Sequence, residues 1–356
     1  MRGGKKLAMY RRLEAVIAIC LYYSGLVNLA RWWKRRSGQS LVILNYHRAT
    51  GGDLRKHLLY LRRHYRLLHL EAALEELYGS RNGEARREDR RTPLVLTFDD
   101  GYYDNYTHAL KFACELHVPI TIFLIPGYIE SRNRFWWLAA TYLVSQGQAS
   151  EVMIEGQTYH LDDLDEREDL IHAIDARARH APSVSEREVF LASVTRTLAA
   201  PTQAIAGEEA MLPLGWAEVQ HMHESGWISF GAHTMHHPIL AYLTDPAEVK
   251  YEVDACRRAL EQRLGYPVRT FAYPVGGLEH IGENSIRAVR EAGFEWALTT
   301  MYGFNTAQSN PYLLHRIEVD VDQHWLVVAA KTCGVWNFFA SVCRIPGTFI
   351  QQHVNR

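Results

Sequence analysis

The run Pro93-Leu94-Val95-Leu96-Thr97-Phe98-Asp99-Asp100-Gly101 constrains this chain more than any other stretch. Its apolar and β-branched residues do not alternate with polar ones, the pattern of a strand covered on both faces. Such strands belong to parallel sheets flanked by helices, so the run calls for an α/β fold around it. Proline at its head opens the strand without costing a ladder hydrogen bond, and Gly101 permits a sharp turn at its end. Two adjacent carboxylates there repel each other and lose hydration. A cation, or use of one carboxylate as a base, would offset that cost. The plain alternative is a helix-capping Asp pair in a βα loop.

Further runs supply the rest of a sheet. Strands are expected at 41–46, 65–70, 120–125, 227–231, 268–274, 294–300 and 313–319. Helical sequence falls between them at 54–64, 71–78, 105–116, 216–224, 246–264 and 282–292, with Asp104 and Asn105 as caps of the third. Seven or eight strands with helices between them favour a (β/α) barrel over an open sheet. Residues 129–212 break the rhythm and read as a helical insertion over one mouth of the barrel, and 79–92 as a solvated loop. The expected organisation is a basic, apolar segment at 1–39, a barrel at 40–323 and an apolar, aromatic tail at 324–356.

A hydrophobic content of 47% against 22% charged residues excludes wholesale disorder. The net charge of −1 hides a split, because residues 1–36 carry nine Lys/Arg and one Glu, leaving −9 on the remainder. Within that segment, residues 15–30 are uncharged, with Arg11 and Arg12 before them and Arg31-Trp32-Trp33-Lys34-Arg35-Arg36 after. A signal peptide, a buried amphipathic helix and a membrane anchor all compete for this pattern. The Trp/Tyr and Lys/Arg flanks fit the anchor best, shallow or spanning. Nucleic acid is not the expected partner, and the oligomeric state is open. Five cysteines without a CxxC spacing read as reduced thiols.

In a barrel, residues at the carboxyl ends of strands meet at one mouth. Here those ends supply Asp99, Asp100, His233, His237, Tyr273 and His315, with His47 after the first strand as a further candidate for the cleft. Two histidines four apart, with one carboxylate and open positions for water, make a hydrolytic zinc-type site.

Thr97-Phe98-Asp99-Asp100-Gly101 together with His233-Thr234-Met235-His236-His237-Pro238 resembles the paired motifs of the polysaccharide deacetylase family (NodB homology domain, carbohydrate esterase family 4). The resemblance spans about residues 40–320 and implies a distorted (β/α)7 barrel, one divalent metal, most often zinc, and hydrolysis of an acetyl group on a glycan. Carried over by position, it makes Asp99 the base and Asp100, His233 and His237 the metal ligands. It makes the Tyr102 amide an oxyanion donor and His315, in Leu313-Leu314-His315, the acid. Two positions depart from the pattern. The arginine that orients the base in the family's third motif is replaced by Ala272, in Phe271-Ala272-Tyr273-Pro274, as in a similar branch of the family. No aspartate of the fourth motif occurs in Trp296-Ala297-Leu298-Thr299-Thr300. The expected activity is removal of an N-acetyl group from an amino sugar of a polysaccharide or lipid-linked glycan. A deformylase, an O-acetyl esterase or a catalytically silent carbohydrate-binding subunit are the rivals.

Overall fold

The computed structural model describes residues 2–36, 40–79, 89–201 and 207–342. The middle of the expected 79–92 loop and the end of the expected tail lie outside the described residues. The chain opens with helices α1 (Arg2–Tyr23) and α2 (Leu26–Arg36), then strand β1 (Val42–Tyr46), α3 (Leu54–His64), β2 (Arg66–Leu67), α4 (Leu70–Tyr78) and β3 (Pro93–Phe98). It continues through α5 (Leu110–Leu116), β4 (Ile120–Leu124), α6 (Pro126–Ser131), α7 (Trp136–Gln146), β5 (Glu151–Ile154), β6 (Gln157–His160), α8 (Leu164–Arg179) and α9 (Val184–Thr197). Then come α10 (Trp216–Glu224), β7 (Ile228–Ala232), α11 (Pro246–Leu264), β8 (Thr270–Ala272), α12 (Leu278–Glu291), β9 (Trp296–Leu298), β10 (Ile317–Glu318), α13 (Trp325–Cys333) and α14 (Val335–Val342).

The main sheet is parallel, in the order β10-β1-β3-β4-β7-β8-β9, with β2 beside β3. The segment leading into β10 closes the curl: Leu314 bridges Leu298 of β9, and Ile317 pairs with Leu44 of β1. The sheet therefore bends round into the distorted (β/α) barrel that the strand count implies. Side chains alternate along each strand. Val42, Leu44, Tyr46, Leu94, Leu96 and Phe98 pack outward under the helices, while Ile43, Val95 and Phe123 pack in the barrel interior. Asn45, Thr97 and Asp99 share the inward parity of Ile43 and Val95, so the polar residues stack at one end of the barrel bore.

Two local expectations need correction. Asp104 does not cap the helix after β3, which begins with a π-helical turn at Asn105–Ala109. Its carboxylate is used elsewhere, accepting hydrogen bonds from Arg48, the Ala49 and Thr50 amides and the Thr50 hydroxyl. The insertion is also not wholly helical. β5 and β6 form an antiparallel hairpin turning at Glu155 (φ 49) and Gly156 (φ 83), and β5 buries only every second residue. Such half-buried strands lack the continuous apolar run that marks the barrel strands.

At the amino end, Ala18, Leu21 and Val27 are buried in the same core as the outer face of the barrel strands. α1 and α2 both pack on α13, which is buried from Leu326 to Cys333.

Candidate metal centre and catalytic cleft

β3 ends in a strained turn. Asp100 adopts φ 73 and Gly101 φ 70, so the two aspartates point in different directions. Non-glycine residues in this region cost free energy and collect at functional sites. The turn after β7 has the same character, with Thr234 at φ 63 and His237 at φ 56. There the Thr234 hydroxyl accepts a hydrogen bond from the His237 amide at 2.9 Å, winding both histidines toward one point.

That point faces Asp100. Its Oδ1 lies 3.4 Å from His233 Nε2 and 3.5 Å from His237 Nε2, and the three side chains are buried. His233 Nδ1 donates to the Ala272 carbonyl at 2.7 Å, which fixes the tautomer with a bare Nε2. Asp100 Oδ1, the atom that faces both imidazoles, is buried without a hydrogen-bond partner. Orphaned buried acceptors are costly, and one carboxylate with two imidazoles is the donor set of a hydrolytic divalent cation. The residues fit such an ion. His236, the remaining histidine of the motif, turns away and pairs with buried Glu252 at 2.7 Å.

Asp99 has the opposite surroundings. Arg316, fully buried, donates from Nη1 to Asp99 Oδ1 at 2.7 Å and from Nη2 to Oδ2 at 2.8 Å. The guanidinium is itself held by the Asn45 side chain, the Thr97 hydroxyl and the Thr299 carbonyl. Burial opposes ionisation of Asp99. The Arg316 guanidinium, aided by His233 and His47, overrides it and holds the carboxyl below its usual range. Two carboxylates and one guanidinium leave this buried cluster one positive charge short. Burial disfavours protonated His233, but Asp100 and Asp99 raise its pKa on balance. His237, by contrast, is pushed well below the usual range by burial and by its cationic neighbours. A divalent cation would offset that negative charge and leave the cluster one positive charge in excess.

Arg316 is the residue that sequence reasoning missed. It places a guanidinium on Asp99, which Ala272 cannot, and reaches it from β10's side of the barrel. The available signal was an arginine in the last barrel segment, directly after His315.

The trio and Asp99 open into a cavity of about 570 Å³. His47 lines it, as do Trp136 and Trp137 from the insertion. The Trp137 ring sits 4.3 Å from that of His237 and its Nε1 donates to the Tyr102 hydroxyl at 2.8 Å. Arg187 of α9, also buried, donates to the His236 carbonyl at 2.9 Å, tying the insertion to the histidine turn. Tyr102 borders the cavity, and the bridge to Pro213 uses the Tyr103 amide and the Gly101 carbonyl rather than its own N–H.

Two expected members are not brought to the cleft. His315 is not among the cavity-lining residues: its ring turns to the Tyr302 carbonyl at 3.2 Å, and its backbone is held at both ends by the Asn305 side chain. Alternation explains this, since Arg316 faces the bore and its neighbour cannot. Tyr273 lies in the outer core with its hydroxyl donating to the Tyr312 carbonyl at 3.2 Å; Val275 and Thr300 line the cavity instead.

Comparisons with known proteins bear on the same region. The family description "Polysaccharide deacetylase" matches residues 86–297, more than half of the chain. No curated protein matches it in sequence. Among solved structures it is similar to IcaB from Ammonifex degensii, with TM-score 0.53 and 20% identity over 83% of this chain and 98% of that one. It is also similar to the Streptococcus pyogenes deacetylase PplD in complex with acetate, with TM-score 0.52 and 15% identity over 82% and 98%. A de-N-acetylase from Aggregatibacter actinomycetemcomitans gives TM-score 0.51 and 13% identity over 82% and 100%. At such identities the structural likeness speaks for the fold alone. The family match over more than half the chain narrows the chemistry further: this protein belongs to the polysaccharide deacetylase family, hydrolases that act on non-peptide carbon–nitrogen bonds of glycans.

Proposed function

We propose that the chain removes an N-acetyl group from an amino sugar of a glycan, using one divalent cation, zinc, held by Asp100, His233 and His237. The observation that carries this reading is the contrast at the β3 turn. Asp100 is buried with an unpartnered oxygen facing two imidazoles, while its neighbour Asp99 is kept ionised by Arg316. A divalent cation in that set supplies Lewis acidity toward water and the acyl oxygen. Asp99, ionised and fixed by a bidentate pair, accepts the proton of the attacking water. The Tyr102 amide donates to the acyl oxygen as negative charge develops there. The carbon–oxygen bond forms, the carbon–nitrogen bond breaks, and the amine leaves only once protonated.

His47 gives that proton. It lines the same cavity as Asp99, Asp100, His233 and His237. The acid role carried over to His315 therefore passes to His47. Trp136 and Trp137 wall the site with apolar surface, suited to the acyl methyl group and to a sugar face. The arginine missing at Ala272 and the absent fourth-motif aspartate favour a silent protein; the bidentate Arg316–Asp99 pair supports an active one. The test is acetate release from an N-acetylated amino-sugar oligomer by the wild type and by Asp99→Asn. Acetate from the wild type alone supports the reading. Formate release from an N-formyl sugar without acetate release, or acetate from O-acetyl sugars only, would replace it with the corresponding rival.

A further inference from the structure

α1 and α2 present two unlike faces. Their inner side is core: Ala18 and Val27 are 0% exposed against α13. Their outer side carries Met9, Leu13, Val16, Cys20 and Tyr23 on α1, at alternating spacings of four and three, then Leu26, Leu29 and Trp33 on α2. Leu13 is 54% exposed, Val16 56%, Leu29 58% and Trp33 67%. No packing within the described residues accounts for this stripe, and contiguous exposed apolar surface of this kind marks a docking face.

What docks is indicated by the chemistry around the stripe. Arg12, Arg35 and Arg36 are exposed beside it, Arg36 lies over the Trp32 ring at 4.3 Å, and the segment is strongly basic on an acidic body. Indoles and cations bordering an apolar helix face match an anionic lipid surface. No described helix is long and apolar enough to cross a membrane by itself. Met9–Tyr23 and Leu26–Arg36 reach that length only together, and are bent by 67° at the break. With the inner side buried on α13, the elbow suits lying on a bilayer better than spanning one.

The same helix is a wall of the catalytic cleft. On a helical wheel Arg11 and Glu14 lie opposite the stripe, and both line the cavity. Arg11 pairs with Asp320 at 2.8 Å and Asp322 at 2.7 Å, fastening α1 to the loop after β10. A bilayer against the stripe would lie roughly one helix diameter, about 10 Å, from the cleft. A cavity of about 570 Å³ is sized for a short glycan.

We propose that the α1–α2 elbow seats the enzyme on lipid and that the cleft takes its amino sugar from that surface, on a lipid carrier. This rests on the deacetylase reading above and adds the class of carrier. The test uses the full chain and vesicles of phosphatidylcholine with and without phosphatidylglycerol. N-acetylglucosamine on a long alkyl chain in the vesicles is compared with its methyl glycoside in solution. The wild type is expected to pellet with the anionic vesicles, to stay bound in high salt, and to release acetate faster from the vesicle-borne sugar. Leu13→Glu and Leu29→Glu, both on exposed positions, are expected to lower vesicle binding and the ratio of vesicle-borne to soluble turnover by roughly tenfold each. Acetate release from both sugars without vesicle binding would overturn the lipid proposal and leave the deacetylase reading standing. A stripe that instead holds two copies together, with the variants monomeric and no vesicle binding, would overturn it too. Vesicle binding with acetate from neither sugar would remove the deacetylase reading and this proposal with it.

Discussion

Asp99 and Asp100 are neighbours in the chain, and their surroundings are opposites. Every strong partner of Asp99 is supplied by the protein: a bidentate guanidinium, itself braced by Asn45, Thr97 and Thr299. Asp100 faces two imidazoles, and one of its buried oxygens has no donor. The first side is complete within the chain, as a base that must stay ionised in a buried site requires. The second is complete only with something from outside. The proposed division of labour between a protein-tuned base and a cation would account for this difference in hydrogen-bond satisfaction across one strained turn.

If that division is right, the two sides fail differently when broken. The largest effect is expected at Asp99→Asn, which keeps its volume and leaves the ligand trio intact. Metal content should be unchanged while acetate release falls by roughly 10²–10⁴-fold, the usual worth of a positioned acid or base. Loss of metal together with activity would merge the two sides.

Arg316→Met should come next, leaving a buried carboxylate without its partner. Such breaks cost about 3–5 kcal/mol, measurable by denaturant unfolding. The sign of the pH effect follows from the depressed pKa of Asp99. Stability from this pair is present above the unfolded carboxylate value and is lost only as pH falls through the lower folded value. In the variant, burial remains without its counter-charge, so the acid limb of kcat/KM should move to higher pH. An unmoved limb would show that Arg316 braces the barrel without tuning the base.

A smaller, more selective loss is expected at His47→Gln. It should reduce hydrolysis of an amide far more than that of an activated ester, whose leaving group needs no proton. His315→Gln should not discriminate between the two. The reverse pattern would return the acid role to His315. The smallest effect is expected at His236→Ala. Its ring is engaged with Glu252 rather than the trio, so metal content should hold.

How far these two sides could be read from the sequence follows from how each is assembled. The cation side is made of two short stretches, 97–101 and 233–238, whose residue types and spacing carry the chemistry by themselves. The βα rhythm likewise announced the barrel, because fully covered strands leave uninterrupted apolar runs. The base side was illegible because Arg316 reaches Asp99 across 217 residues of chain. Only the inward parity of the last barrel segment decides whether Arg316 or His315 enters the bore. Tyr273 is held outward by its hydroxyl on the Tyr312 carbonyl, and the left-handed turn at Val275 (φ 60), which no strand pattern announces, brings Val275 to the cleft with Thr300. The 151–160 hairpin escaped notice for a different reason: its strands are half-exposed and too short for periodicity to stand out.

The central claim is that Asp100, His233 and His237 are completed by a cation which the chemistry requires. It is tested most directly by measuring metal content and acetate release together, before and after chelation, in the wild type and in His237→Ala. The account predicts one divalent cation per wild-type chain, loss of acetate release on its removal, recovery with added zinc, and no retained metal in His237→Ala. Stoichiometric metal in His237→Ala, or undiminished acetate release from metal-free wild type, would contradict it.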